Sequence, residues 1–107
     1  MAKKIRIKID TVEFAKALAD ETRQKIMELI CCRQVSVNDL VDELDVAQPT
    51  VSHHLKILKN AGLVSVERRG KQVFYQINQE LIFQSCCQVA EHFAPEHPFP
   101  KEDPATL

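Results

Sequence analysis

Tryptophan is absent from this 107-residue chain, tyrosine occurs once and glycine twice. The missing patterns exclude more than the missing residues do. No apolar run approaches the roughly 20 residues that a membrane-spanning helix needs. The basic start, Met-Ala-Lys-Lys-Ile-Arg-Ile-Lys, lacks the apolar stretch of a signal peptide. No membrane partner is therefore expected, and a cytoplasmic location is. There is no Cys-x-x-Cys, no phosphate loop and no nucleophile–base–orienter set, so nothing points to an enzyme. The four cysteines form two adjacent pairs, Cys31 with Cys32 and Cys86 with Cys87. Adjacent pairs make a poor disulfide framework, and reduced thiols fit the cytosol. One absence is informative in the other direction: no acidic residue lies between positions 48 and 66.

The length fits one domain, and the 45% apolar fraction is that of a globular protein. A core is possible at this size, and a dimer would bury more. The net charge of −1 is unevenly spread. Residues 48–77 hold five basic residues against Glu67 alone, a local charge of +4, while the remainder carries nine basic and fourteen acidic residues. Binding to phosphates follows local potential rather than the total.

The acid-free stretch reads as a helix. Pro49 suits a first helical turn, Gln48 or Thr50 can satisfy orphan amides there, and Gly62 suits a left-handed stop. Val51, Leu55 and Leu58 form one apolar stripe. Pro49, His53, Lys56 and Asn60 fall on another side, flanked by Ser52. A DNA major groove accepts a short helix of this kind. An ordinary amphipathic helix with a solvated face has the same pattern, so the neighbouring elements decide.

Residues 1–10 alternate Ile5, Ile7 and Ile9 with basic residues, as a short strand or an arm would. A first helix spans 11–19, with Phe14 and Leu18 on one side. Asp20 caps a second helix from 21 to about 32, with Ile26, Leu29 and Ile30 as its stripe. Ser36 with Asp39 resembles a capping box for a third helix to about 44, which buries Leu40 with Leu44 or Val41. A tight turn at 45–47 joins it to the polar helix, making a helix-turn-helix. Two β-rich arms follow, 63–68 and 71–77, with Gly70 at the turn. This hairpin is a wing that would put Arg68, Arg69 and Lys71 beside phosphates or in the minor groove. Asn78 caps a last helix from 79 to about 94, whose stripe is Ile82, Cys86, Val89 and Phe93. Pro95 ends it, and the Pro-containing tail 95–107 has few apolar residues.

The expected fold is mainly α with a small β-hairpin, in the order α-α-α-α-β-β-α: a winged helix-turn-helix over 11–94, between an arm at 1–10 and a tail at 95–107. The expected DNA contacts are Gln48, Thr50, Ser52, His53, Lys56, Arg68, Arg69 and Lys71. His54 is included with them, although it borders the apolar stripe and also reads as a packing residue. His92 and His97 suggest no site.

This order resembles the ArsR/SmtB-type winged-helix repressors, sensors of metals, metalloids and thiol-reactive species. The matching stretches are Leu-Ala-Asp-Glu-Thr-Arg at 18–23, Gln-Pro-Thr-Val-Ser-His-His-Leu-Lys-Ile-Leu-Lys-Asn-Ala-Gly-Leu-Val at 48–64, and Arg-Gly-Lys-Gln-Val-Phe-Tyr at 69–75. The resemblance implies a homodimer joined through the first and last helices. It implies binding to an inverted repeat in double-stranded operator DNA, and repression relieved by an inducer. It carries no inducer site over. Arsenic-sensing members place Cys-Val-Cys where this chain has Ser36, Val37 and Asn38. Zinc-sensing members use Asp, His, His and Glu where this chain has Gln79, Leu81, His92 and Pro95, and one His cannot make a tetrahedral site.

The cysteines remain as sensing candidates. Cys86 lies on the apolar stripe, where a free cysteine acts as a small buried hydrophobe, and Cys87 lies at its edge. Cys31 and Cys32 fall near a helix end whose partial negative charge would raise a thiol pKa, opposed by Arg33. Some thiol-sensing members couple a cysteine of the second helix with one of the last. Cys31, Cys32, Cys86 and Cys87 could thus sense an oxidant or hold a soft metal or metalloid, or they could be structural. Against the DNA-binding repressor stand two other readings: a thiol- or soft-metal-handling protein, and a winged-helix module that docks protein. The acid-free helix and basic wing favour DNA.

Overall fold

The computed structural model describes residues 9–97. Residues 1–8 of the expected arm and 98–107 of the expected tail lie outside the described residues. The elements are α1 (Thr11–Leu18), α2 (Glu21–Ile30), β1 (Val35–Ser36), α3 (Val37–Leu44), α4 (Gln48–Asn60), β2 (Val64–Arg69), β3 (Gln72–Ile77) and α5 (Gln79–Phe93). The expected order is present with one addition. β1 pairs antiparallel with β3, setting Val35 opposite Tyr75, so the sheet has three strands in the order β1-β3-β2. Two residues are too few for alternation to reveal a strand.

Caps set the helix starts. Asp10 accepts from the backbone N–H groups of Val12 and Glu13, Asp20 from that of Arg23, Ser36 from that of Asp39, and Asn78 from that of Leu81. Each satisfies an amide that has no carbonyl partner within its helix. The expected capping role of Gln48 or Thr50 is not seen. α4 starts from Ala47 without any side-chain cap. Pro49 has no N–H to satisfy, and the N–H groups of Thr50 and Val51 both reach the Ala47 carbonyl. α2 ends at Ile30, with Cys31 as its C-cap, rather than running on to Cys32. Asp45 ends α3 in the left-handed region at φ 54°, which Asp tolerates better than most residues. Three residues therefore suffice to turn α3 into α4.

The core gathers Ile26 and Ile30 of α2, Leu40 of α3, and Val51, Leu55 and Leu58 of α4, all at most 1% exposed. Burial is worth about 1.5–3 kcal/mol for each such side chain. The apolar stripe of α4 is thus its anchor.

In the protomer the fully buried position of α5 is Ser85, while Cys86, on the apolar stripe, is exposed. Ile82 and Val89 are half-buried against the core, and Phe93 is 80% exposed. α5 packs on α1, where Phe14 and Ala17 are buried. The Ser85 hydroxyl is buried with no hydrogen-bond partner among the described residues. Phe14 is part of this protomer core, and the exposed large apolar residue of α1 is Val12.

The inner edge of α4 is held by a polar cluster. Arg23 Nε donates to the Ala17 carbonyl at 2.8 Å and Nη2 to the Lys16 carbonyl at 2.9 Å. Its Nη1 donates to His54 Nδ1 at 3.1 Å. Asp20 stands 3.9 Å from both Arg23 Nη1 and His54 Nε2. An arginine can only donate, so Nδ1 must be unprotonated. Burial pushes the His54 pKa below its ordinary value, with Asp20 opposing and Arg23 and His53 assisting. The backbone N–H of Arg23 holds the Asp20 carboxyl below its ordinary range, with burial opposing.

Two outcomes are expected. Gly62, at φ 79°, follows α4, and a Cβ there would meet Leu81 Cδ2 of α5 at 2.8 Å. Gly62→Ala should cost at least the roughly 1–2 kcal/mol of a left-handed L-residue, read as a lowered urea midpoint. The second concerns pH. As pH falls from about 7.5 through 6.5, the unfolded imidazole takes a proton before the folded one does, so His54 makes stability fall. His54→Asn, which keeps an acceptor but does not titrate, should flatten that part of the profile. His54→Ala should cost about 1–3 kcal/mol, as for a hydrogen bond to a charged group. An unchanged pH profile in His54→Asn would show that this contact is not the titrating one.

Candidate nucleic-acid interface and thiol groove

With Val51, Leu55 and Leu58 buried, the opposite side of α4 is left to solvent. Gln48, Thr50, Ser52, His53 and Lys56 are all exposed there, with Lys59 and Asn60 beyond them. The helical period puts Ser52 and Lys56 one turn apart, as it does Pro49 and His53. His54 departs from the expected set. It is half-buried and turned onto Arg23. The structure therefore gives it the packing role that its place beside the apolar stripe also suggested.

The hairpin turns at Gly70, φ 62°, with open space around its Cα. Arg68, Arg69 and Lys71 are exposed around this turn. The register sets Arg68 opposite Val73 and Arg69 opposite Gln72, and successive strand residues point to opposite faces. The two arginines therefore serve different sides of the wing. Arg69 is already engaged: its guanidinium carbon lies 4.3 Å from the Phe74 ring centroid, and its Nε is 3.7 Å from a Glu67 carboxylate oxygen. Its Nη2 donates to Gln34 Oε1, while Gln34 Nε2 donates to Glu67 Oε1 at 2.5 Å. The one acid of this basic region is thus bound to Gln34 and Arg69.

A second feature lies between the end of α2 and the start of α5. An open groove of about 550 Å³ is walled by Met27, Ile77, Ile82 and Phe83. Cys31, Cys32 and Cys86 all line it, as do Glu28 and Gln79. The Gln79 amide donates to the Cys31 carbonyl at 2.9 Å, tying α5 to the end of α2. The Cys31 and Cys32 sulfurs are 3.1 Å apart, a thiol contact rather than the roughly 2.0 Å of a disulfide. The hydrogen bond with Cys32 raises the Cys31 pKa, and burial and the neighbouring Cys32 charge add to it. Arg33, expected to oppose such a rise, pairs instead with Glu43 at 2.8 Å.

Three of the four candidate cysteines therefore meet at one groove, and Cys87, half-buried, is not among its lining residues. Among the described residues no three His, Cys, Asp or Glu side chains form a group able to hold a metal ion. Of the two remaining histidines, His92 lies in the last turn of α5 and His97 beyond it, both exposed. Reading the residues in order does not find the apolar walls of the groove. They come from α2, β3 and α5, and only the fold joins them. Arg23 had a signal in its place within the 18–23 motif, though nothing local shows that it reaches His54.

Comparison with known proteins follows the same lines. Residues 20–66 match the sequence profile of the bacterial regulatory proteins of the arsR family. The transcriptional repressor SdpR of Bacillus subtilis is 34% identical over 67 residues, 63% of this chain and 74% of that one. The arsenical resistance operon repressor of Staphylococcus xylosus is 36% identical over 67 residues, again 63% of this chain but 64% of that repressor. Among solved structures, a homodimeric winged helix-turn-helix DNA-binding domain from Mycobacterium bovis superposes with a TM-score of 0.63 at 28% identity, covering 82% of this chain and 85% of that one. No helix among the described residues is long and apolar enough to cross a membrane. The chain belongs to the ArsR family of bacterial regulatory proteins and is a DNA-binding transcriptional regulator, not an enzyme.

Proposed function

We propose that the protein is a cytoplasmic repressor that binds an inverted repeat in operator DNA as a homodimer and is released by an inducer acting on its cysteines. One observation carries the DNA assignment. α4 buries its whole apolar stripe and presents an exposed, acid-free face beside a basic wing. A helix so mounted fits a major groove about 12 Å wide. Ser52 and His53 then face base edges, Gln48 and Thr50 face base edges or flanking phosphates, and Lys56 faces a phosphate. Arg68 and Lys71 carry the phosphate contacts of the wing, with Arg69 as its brace on Phe74. His54 holds α4 from behind.

The dimer reading rests on exposed apolar side chains of α1 and α5, which pack on each other. Val12 of α1 and Phe83 and Phe93 of α5 are 58%, 52% and 80% exposed. Pairing these helices across a two-fold axis would cover them and set the two α4 helices on half-sites one DNA turn apart, or a multiple of it. The inducer reading rests on the thiol groove, which touches both α2 and α5. A thiol-reactive, redox, or metal or metalloid inducer there would bias the arrangement of those helices, with a coupling of typically about 1–3 kcal/mol. The Staphylococcus xylosus relative is named for an arsenical resistance operon, which agrees with an inducer that seeks thiols.

A gel-shift series on the chain's own promoter region tests the DNA face. His53→Ala should cost about 1–3 kcal/mol on the preferred site and relax preference at one base pair. Lys56→Ala and Lys71→Ala should weaken all sequences alike and reduce the salt slope by about one each. Parent-like binding by all three variants would show that another surface meets DNA. Sedimentation at micromolar concentration should give a dimer, and Phe93→Asp should shift it toward monomer. A monomeric parent that binds a single half-site would end the dimer reading.

A further inference from the structure

The outer half of the wing has little to stand on. β1 pairs with β3 through Val35 and Ser36, opposite Tyr75 and Phe74. Beyond that point the hairpin is two strands alone, and β2 is exposed from Ser65 to Arg69. A two-stranded ribbon is marginal in water. A closed triangle of side chains ties this ribbon back. Gln34 Nε2 donates to Glu67 Oε1 at 2.5 Å, Arg69 Nη2 donates to Gln34 Oε1, and Arg69 Nε lies 3.7 Å from Glu67 Oε2. Phe74, directly opposite Glu67, seats the guanidinium at 4.3 Å. Each exposed contact is weak alone, and together they form a network.

Position 34 needs an amide. A guanidinium only donates and a carboxylate only accepts, so the residue between them must accept from one and donate to the other. The backbone of Gln34 is fixed to the body of the protein rather than to the wing. Val35, next in the chain, is fully buried, and Ser36 caps α3. Arg33, on the other side, pairs with Glu43 of α3 at 2.8 Å. The triangle therefore ties the wing to the helix that packs on α4. With Arg69 held on one strand face, Arg68 points to the other. That is the face of buried Val64, on the strand that packs against α4.

We propose that Gln34 and Glu67 are positioning residues for operator discrimination: with Arg69 they fix the angle between the wing and α4. The inference rests on the DNA reading above and adds to it two residues that touch no DNA themselves. Phosphate contacts set where a protein lies on the duplex, and base contacts read the sequence. Discrimination needs both at once, so it depends on the orientation of the wing relative to α4. Non-specific binding needs only positive charge near phosphates, and a loose wing still supplies that. Glu67, the one acid of residues 48–77, lowers affinity for every sequence and holds the geometry that tells sequences apart.

The test compares affinity for a duplex of the chain's own promoter region with affinity for a random duplex of equal length, each over a salt series. Gln34→Ala changes no charge. It should lower promoter affinity about tenfold and leave random-duplex affinity and salt slope as in the parent. Glu67→Gln should raise random-duplex affinity, steepen its salt slope by about one, and narrow the preference for the promoter. Gln34→Glu sets two carboxylates together and should narrow the preference too. Gln34→Glu combined with Glu67→Gln exchanges amide and carboxylate, so Arg69 regains both partners. The preference should then return to within about threefold of the parent's, as coupled neighbours allow. A role in stability alone would move both duplexes together in Gln34→Ala, and a purely electrostatic role would move both together in Glu67→Gln. Either result would overturn the proposal. So would an unchanged preference in Gln34→Ala, or a double variant no better than Gln34→Glu. A parent with no preference between the duplexes would instead remove the operator reading, and this inference with it.

Discussion

The presentation of α4 depends on how its two inner edges are held. Along the middle, Val51, Leu55 and Leu58 sink into the core and fix its height and tilt. Along one side, Arg23 fixes its rotation, because a single guanidinium reaches two carbonyls of α1 and the ring of His54 at once. A guanidinium suits this position: its donors lie in a rigid plane, and it keeps its charge throughout the relevant pH range. Hydrophobic burial supplies more of the energy but has no preferred direction. The polar cluster supplies the direction. With both constraints in place, only one face of α4 is left to meet another molecule.

The same division of labour explains the wing. Val64 is buried and Val66 shares its strand face, while the residues toward the turn are exposed and charged. Glu67 would weaken a basic tip if it stood alone. It is instead bound to Gln34 and Arg69, and Arg69 rests on Phe74. β1 brings Gln34 into reach by pairing with β3. A two-residue strand thus has an electrostatic consequence at the hairpin, where Arg68 and Lys71 remain exposed beside the turn, as the proposed phosphate contacts require.

The helices, their caps and the hairpin were legible in the order of residues, because each rests on a local rule. Asp20, Ser36 and Asn78 precede apolar periodicity and cap as side chains of their length do. Gly62 and Gly70 stand where φ is positive. The exposed face of α4 was legible for the same reason: period and polarity agree. What was not legible is whatever depends on two distant segments meeting. The seating of α5 is the clearest case. Ile82, Cys86, Val89 and Phe93 make a regular stripe, yet the fully buried residue of the helix is Ser85, while Cys86 and Phe93 are exposed in the protomer. Cys86 and Phe83 meet residues of α2 and β3 at the groove, a meeting that only the fold shows. His54 stood between two readings until Arg23, 31 positions away, was placed beside it.

α2 connects these two regions. Its N-cap Asp20 and its Arg23 hold α4, and Met27, Glu28 and its C-cap Cys31 line the groove. A helix of ten residues spans about 15 Å and does not bend easily. Ile26 and Ile30 lock it into the core between those ends. A displacement at the cysteine end would therefore tilt the helix or load the Arg23–His54 contact, and either would alter the seating of α4. Gln79 adds a second lever, since its hydrogen bond to the Cys31 carbonyl makes the start of α5 follow the end of α2. α2 thus links the groove to α4 through Arg23 and His54, and Gln79 links it to the start of α5, so an inducer acting as proposed would have a route to both helices.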